Sequence, residues 1–267
     1  MMRALINGIN THWDDNGDGQ PIVLIHGYPL NRFMWQPQIG ALSGVGYRII
    51  TPDLRGFGES EPSDLPYSMD LFVDDLVALL DHLGICNAII GGMSMGGCIL
   101  MRLIERYPER VTAACFIVTR SEADDPAGRE RRLKLAREAM DSGPQSIANI
   151  FSSLLFADRT KTEQPELVER VFEMMTANTP RGLAGGMIAM AGRKDYSIIL
   201  NGFGQPSLVI GAEEDKAVNV GQIETIAAGI SDSSVCIIPR AGHMVNMEQP
   251  DTFNDCLIKF LKGLELS

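Results

Sequence analysis

The sequence predicts an α/β protein, with a mostly parallel central sheet, helices on both faces and an inserted helical segment late in the chain. Three observations carry this. Short β-branched runs alternate with longer amphipathic stretches along most of the 267 residues. The run Ile22-Val23-Leu24-Ile25 is continuously apolar, as suits a strand buried on both faces. The strand rhythm then stops between residues 121 and 200, where only helical spacing is found.

Taken in order, Ala4 to Trp13 with Asn7-Gly8 inside reads as a hairpin at the sheet edge. Ile22 to Ile25 is the first buried strand and ends at His26-Gly27. Tyr47 to Thr51 is the next, stopped by Pro52 and Asp53. Leu71 to Leu83 carries apolar residues at helical spacing, with Ser68 or Asp70 available as its N-cap. Ala88-Ile89-Ile90 and Ala113 to Val118 are strands, with a helix over Ile99 to Tyr107 between them. Arg129 to Met140 and Pro165 to Thr176 are helical in pattern. An all-helical insertion in such a chain reads as a lid over the strand ends, where these sheets bind ligands. Strands at Ser207 to Ile210 and Val235 to Ile238 resume the alternation, and a helix over Phe253 to Leu261 closes it. The expected organisation is one catalytic core, residues 1–120 and 201–267, carrying a helical cap at 121–200.

Charge narrows the partners. Lys and Arg number 23 against 34 Asp and Glu, a net charge of -11. Such a surface repels phosphate backbones and anionic lipid, so neither nucleic acid nor a membrane is the expected partner. The five cysteines are scattered, mostly in apolar runs, with no C-x-x-C pair. They read as small core residues in a reducing compartment, not as a disulfide framework. The segment Met1 to Asn7 lacks the continuous apolar stretch of a signal peptide, and the uncharged run Ala88 to Met101 is too short for a membrane span. The expectation is a cytoplasmic, soluble protein, monomeric or a small homo-oligomer.

Chemistry concentrates at Gly91-Gly92-Met93-Ser94-Met95-Gly96-Gly97, a G-x-S-x-G directly after an apolar strand and before a helix. A tight strand-to-helix turn needs small residues two positions either side of the serine, and it holds the hydroxyl at a helix N-terminus. Ser94 is therefore the candidate nucleophile. Four histidines are available as its base. His12 sits in the edge hairpin and His82 on a helix face, both as surface residues. His26 ends a strand near the site but on the wrong element. His243, after the last strand and before the closing helix, has the order expected of a base. The acid should follow the strand ending at Ile210, where Glu213, Glu214 and Asp215 are consecutive. Asp215 is preferred, with Glu214 as the first alternative and the acids after the earlier strand, Glu122, Asp124 and Asp125, behind it. Two main-chain donors for an oxyanion are expected at Tyr28 and Met95.

These segments together resemble the α/β-hydrolase superfamily over essentially the whole chain. His26-Gly27-Tyr28-Pro29, Asp53 to Ser60 as D-x-R-G-x-G-x-S, Gly92 to Gly96, and Gly242-His243 occur in the family's order. The resemblance implies that Arg55 braces the site. It also implies a Ser94–His243–Asp215 triad acting on a small-molecule ester, with no metal or organic cofactor. One departure is the acid loop, where Glu214 holds the spacing that relatives give to Asp; a single inserted residue restores Asp215 to the usual continuation. Serine at the elbow separates the chain from the dehalogenases and epoxide hydrolases, whose nucleophile is aspartate. It is similar to small carboxylesterases, enol-lactonases and the cofactor-free haloperoxidase/perhydrolase group, and some members of the superfamily are small-molecule receptors. Met93, Met174, Met187 and Met244 are candidates to line the substrate pocket, since methionine adapts to irregular apolar shapes. Arg120 either meets a substrate carboxylate or pairs with Glu122.

Overall fold

Asn7 and Gly8, with φ of 44° and 81°, turn the chain from β1 (Met2–Ile6) into β2 (Ile9–Asn16) and so form the edge hairpin. In this computed structural model, which describes residues 1–264, the chain continues through β3 (Gln20–Ile25), α1 (Gln36–Ser43) and β4 (Tyr47–Pro52). After α2 (Met69–His82), β5 (Ala88–Met93), α3 (Met95–Arg106) and β6 (Val111–Ile117) come four helices without an intervening strand: α4 (Pro126–Phe151), α5 (Thr160–Glu163), α6 (Pro165–Thr176) and α7 (Pro180–Ala191). β7 (Ser207–Ala212), α8 (Val220–Gly229), β8 (Ser233–Ile238), α9 (Val245–Glu248) and α10 (Pro250–Gly263) complete the described chain.

The strands form one eight-stranded sheet in the order β1-β2-β4-β3-β5-β6-β7-β8. Only the β1–β2 and β2–β4 pairs are antiparallel. Successive side chains of a strand point to opposite faces, and β3 divides accordingly. Val23 and Ile25 join one apolar core with Phe72, Ile99 and Ile223. Ile22 and Leu24 join the other with Trp35, Phe253 and Leu257. Both faces are thus covered, which explains the unbroken apolar runs.

Ser68, not Asp70, caps α2, its side chain accepting the Leu71 N–H. α4 is broken at Gly143, whose φ of 76° and ψ of -176° start a new turn at Pro144. α7 has no counterpart among the sequence-based expectations, because Gly182, Gly185 and Gly186 lower its helix propensity. Packing overrides propensity there: a Cβ on Gly186 would lie 2.9 Å from both the Phe57 and Tyr28 rings.

The cysteines depart from expectation. Cys236 on β8 and Cys256 on α10 are bonded, with Cα atoms 6.6 Å apart, and Cys86 is exposed; only Cys98 and Cys115 are free and buried. The edge strand packs beside the closing helix, a proximity that a separation of 20 residues does not reveal. No helix among the described residues is long and apolar enough to cross a membrane.

Candidate active site

The carboxyl ends of β3, β5, β7 and β8 bring the candidate residues to one end of the sheet, the usual ligand-binding edge of a parallel α/β protein. Ser94 links β5 to α3 with φ 52° and ψ -110°. That conformation costs a non-glycine residue on the order of 1–3 kcal/mol and persists only where the surroundings enforce it. They do so here by close approach: a Cβ on Gly92 would lie 2.3 Å from the Gly96 carbonyl oxygen, and one on Gly96 2.4 Å from the Ile25 carbonyl oxygen. Thr119 adds a hydroxyl bond to the Ser94 carbonyl at 2.7 Å.

The acid loop separates its three carboxylates. Asp215 Oδ2 lies 2.7 Å from His243 Nδ1, while its Oδ1 accepts the Ala217 and Val218 N–H groups at 2.7 and 3.0 Å. Glu214 turns away to Arg159 at 3.2 Å, and Glu213 is exposed. An ionised carboxylate can only accept, so Nδ1 of His243 carries the proton and Nε2 is left as an acceptor. The Asp215 side chain is fully buried and that of His243 nearly so. A residue outside the sequence-based candidates holds this loop: buried Glu248 accepts the Gly242 N–H at 2.9 Å and the Ala157 N–H at 3.0 Å. Burial raises the Glu248 carboxyl above its usual range, against hydrogen bonds from Thr160 and these amides. Its only sequence signal is an acidic residue in a short turn after His243.

His26 is built differently. It donates from Nδ1 to the Gly27 carbonyl at 2.9 Å and accepts the Leu54 N–H on Nε2 at 3.0 Å. Burial lowers its pKa to about 4, so it stays neutral. The D-x-R-G loop is braced as expected: Arg55 pairs with Asp75 and donates to the Asn7 carbonyl, and Asp53 accepts from the Arg32 and Glu59 amides.

The Tyr28 and Met95 N–H groups donate to no protein acceptor among the described residues. Both residues line a cavity of about 150 Å³ together with Ser94 and His243. Phe151, Leu154, Leu155, Met190 and Val218 form its apolar wall, and Arg120, Arg132 and Arg193 its cationic one. A larger groove of about 650 Å³ lies elsewhere, between β8 and α10. Met93, Met174, Met187 and Met244, expected in the pocket, do not line it. Met93, Met174 and Met244 are buried in the core on one face of the sheet, and Met187 in the other, with its sulfur 3.9 Å from an Arg132 nitrogen. Residue type does not tell which side chains meet the cavity; of the methionines in the segments around the site, Met95 and Met190 form part of its wall. Arg120 pairs with Asp124 and not with Glu122. Among the described residues, no three His, Cys, Asp or Glu side chains converge as metal ligands would.

Comparison with known proteins agrees with this fold. A family profile described as alpha/beta hydrolase fold matches residues 20–250. A thermophilic esterase from Thermogutta terrifontis, solved with malate bound, superposes with a TM-score of 0.95 at 33% identity, covering 98% of both chains. A 3-oxoadipate enol-lactonase of Acinetobacter baylyi is 29% identical over 92% of this chain and 90% of its own. A bromoperoxidase from Bacillus anthracis superposes with a TM-score of 0.87 at 27% identity, over 98% of this chain and all of its own.

Proposed function

The chain belongs to the α/β-hydrolase fold family, and from that premise we propose that it is a serine hydrolase cleaving small carboxylic esters through an acyl-enzyme on Ser94. The observation that carries this reading is the 2.7 Å contact between His243 Nδ1 and Asp215, with the imidazole facing the cavity that Ser94 lines. Nε2 takes the Ser94 proton as Oγ attacks the ester carbonyl. The Tyr28 and Met95 N–H groups donate to the developing oxyanion, each worth about 3 kcal/mol in comparable sites. The imidazolium then gives its proton to the departing alkoxide, leaving the acyl group on Oγ. Water, deprotonated by the same Nε2, releases the carboxylic acid and restores the serine. Asp215 stabilises the imidazolium without taking its proton.

Residues 121–200 serve as a cap on a core of residues 1–120 and 201–267. Support comes from Arg132, Phe151, Leu154, Met190 and Arg193, all from that stretch and all on the cavity wall. The cavity's size, below the usual range for drug-sized ligands, favours a short substrate. The enol-lactonase and bromoperoxidase names among the relatives support a second reading, in which the same serine opens a lactone or its acyl-enzyme passes the acyl group to hydrogen peroxide, giving a peracid. A series of p-nitrophenyl esters of rising chain length, run beside a lactone and an enol-lactone, with and without added hydrogen peroxide, tests both. Multiple turnover of the short esters, abolished by Ser94→Ala, is the expected outcome; activity that survives in Ser94→Ala overturns the reading.

A further inference from the structure

We infer that the substrate carries a carboxylate, held by Arg120 and Arg132 on the wall of the cavity that Ser94 and His243 line. This deepens the hydrolase reading and rests on it: the substrate class becomes the half-ester or lactone of a short dicarboxylic acid. The ground is a charge imbalance. Asp124 alone serves three guanidinium groups, those of Arg120, Arg132 and Arg193. Arg193 takes both carboxylate oxygens, at 2.8 and 2.9 Å, and spends its Nε on the Glu122 carbonyl at 3.0 Å. Its side chain is almost wholly buried, so the Arg193–Asp124 pair is complete in itself.

Arg120 and Arg132 are the surplus. Each reaches Asp124 with one nitrogen, Arg120 through Nη2 and Arg132 through Nε. Arg132 Nη1 faces only the sulfurs of Met190 and Met187, at 3.3 and 3.9 Å, which are weak acceptors. Nε and Nη1 of Arg120 and Nη2 of Arg132 have no protein acceptor among the described residues. Both side chains keep part of their surface open, 29% and 21%, on the cavity they line.

Other acids nearby do not correct the imbalance. Asp215 lies behind His243, Glu214 holds Arg159, Asp125 caps α4, Asp195 is engaged by the Ser197 amide and hydroxyl, and Glu122 forms no ion pair among the described residues. Burial and the like charges of Arg193 and Arg132 together outweigh Asp124 and lower the Arg120 pKa. Two cations in excess beside apolar Phe151 and Met190 make a site for an anion with planar, paired acceptors, which a carboxylate supplies. The molecule as a whole carries a charge of -11 and repels anions at long range, so selection for one must arise from these contacts. The small volume keeps anion and reacting carbonyl in one short molecule.

The test compares monoethyl succinate with ethyl succinamate, the same shape with a neutral carboxamide in place of the carboxylate. Binding of each is titrated on Ser94→Ala protein, which cannot turn them over. The acid is expected to bind roughly tenfold or more tightly, the scale of hydrogen bonds to charged groups. Arg120→Gln and Arg132→Gln should each reduce that preference and together remove it, while Arg120→Lys keeps part of it; melting curves check that the variants fold. Equal affinity for the two probes, no measurable binding of the acid, or a preference surviving in the double variant overturns the inference. Wild-type turnover of p-nitrophenyl acetate is measured alongside. Turnover without the preference defeats this inference alone; the preference without turnover of any ester upholds the anion site and defeats the hydrolase reading.

Discussion

Two buried imidazoles stand at strand ends around Ser94, and their surroundings give them opposite characters. His26, after β3, is locked between two backbone groups, donating to one and accepting from the other. Nothing charged compensates its burial, its pKa falls to about 4, and neither nitrogen is free. His243, after β8, spends one nitrogen on a carboxylate and keeps the other for the cavity. The pair teaches that the partner of the far nitrogen, more than burial or nearness to the serine, decides whether a histidine can move a proton.

The contrast can be broken most sharply at the nucleophile and its base. Ser94→Ala and His243→Gln should each lower kcat by about 10⁴-fold or more, to what binding and oxyanion stabilisation alone supply. Steady-state kinetics on a short p-nitrophenyl ester, with circular dichroism as a fold check, reads this. Asp215→Asn removes the charge that stabilises the imidazolium, and kcat should fall roughly a thousandfold or more.

His26→Gln should act on stability instead, with kcat within about tenfold of wild type. The sign follows from the depressed pKa. Between about pH 6.5 and 4 the unfolded chain binds a proton on this histidine that the folded chain refuses, so stability is lost as pH falls through that window. The loss amounts to about 3 kcal/mol at its full extent. Urea unfolding across that range should show wild type losing this increment relative to the variant; parallel curves would contradict it. The smallest effect is expected at Glu214→Gln, under about tenfold on kcat, because that carboxylate is half-buried and paired with Arg159. A crippled Glu214→Gln beside a healthy Asp215→Asn would reverse their roles.

The strand-end residues were readable because local chemistry and tertiary role coincide there. Asn7-Gly8 must turn, Gly92 and Gly96 must be small for the backbones to meet, and apolar runs of β-branched residues must be buried on both faces. The helical stretch between β6 and β7 was less legible, since its features are set across space. α7 is held by contacts of its glycines with Tyr67, Phe57 and Tyr28 that no propensity scale contains. The four methionines expected in the pocket face the cores instead, because residue type marks an apolar side chain without saying what covers it. Arg132 and Arg193 stand in no motif of the sequence, and only the fold brings them to Asp124 beside Arg120. The Cys236–Cys256 bridge and the hold of Glu248 on the His243 loop depend in the same way on chain segments meeting in space.

The central claim, that Ser94 is a nucleophile activated by His243 and not by His26, is tested most directly by phosphonylation. Wild type, Ser94→Ala, His243→Gln and His26→Gln proteins are treated with a small fluorophosphonate, and the adduct is mapped by peptide mass spectrometry over time. The account predicts one adduct, on Ser94, absent from Ser94→Ala, slowed by orders of magnitude in His243→Gln and formed at close to the wild-type rate in His26→Gln. An adduct on another residue, or a His243→Gln protein labelled as fast as wild type, would contradict it.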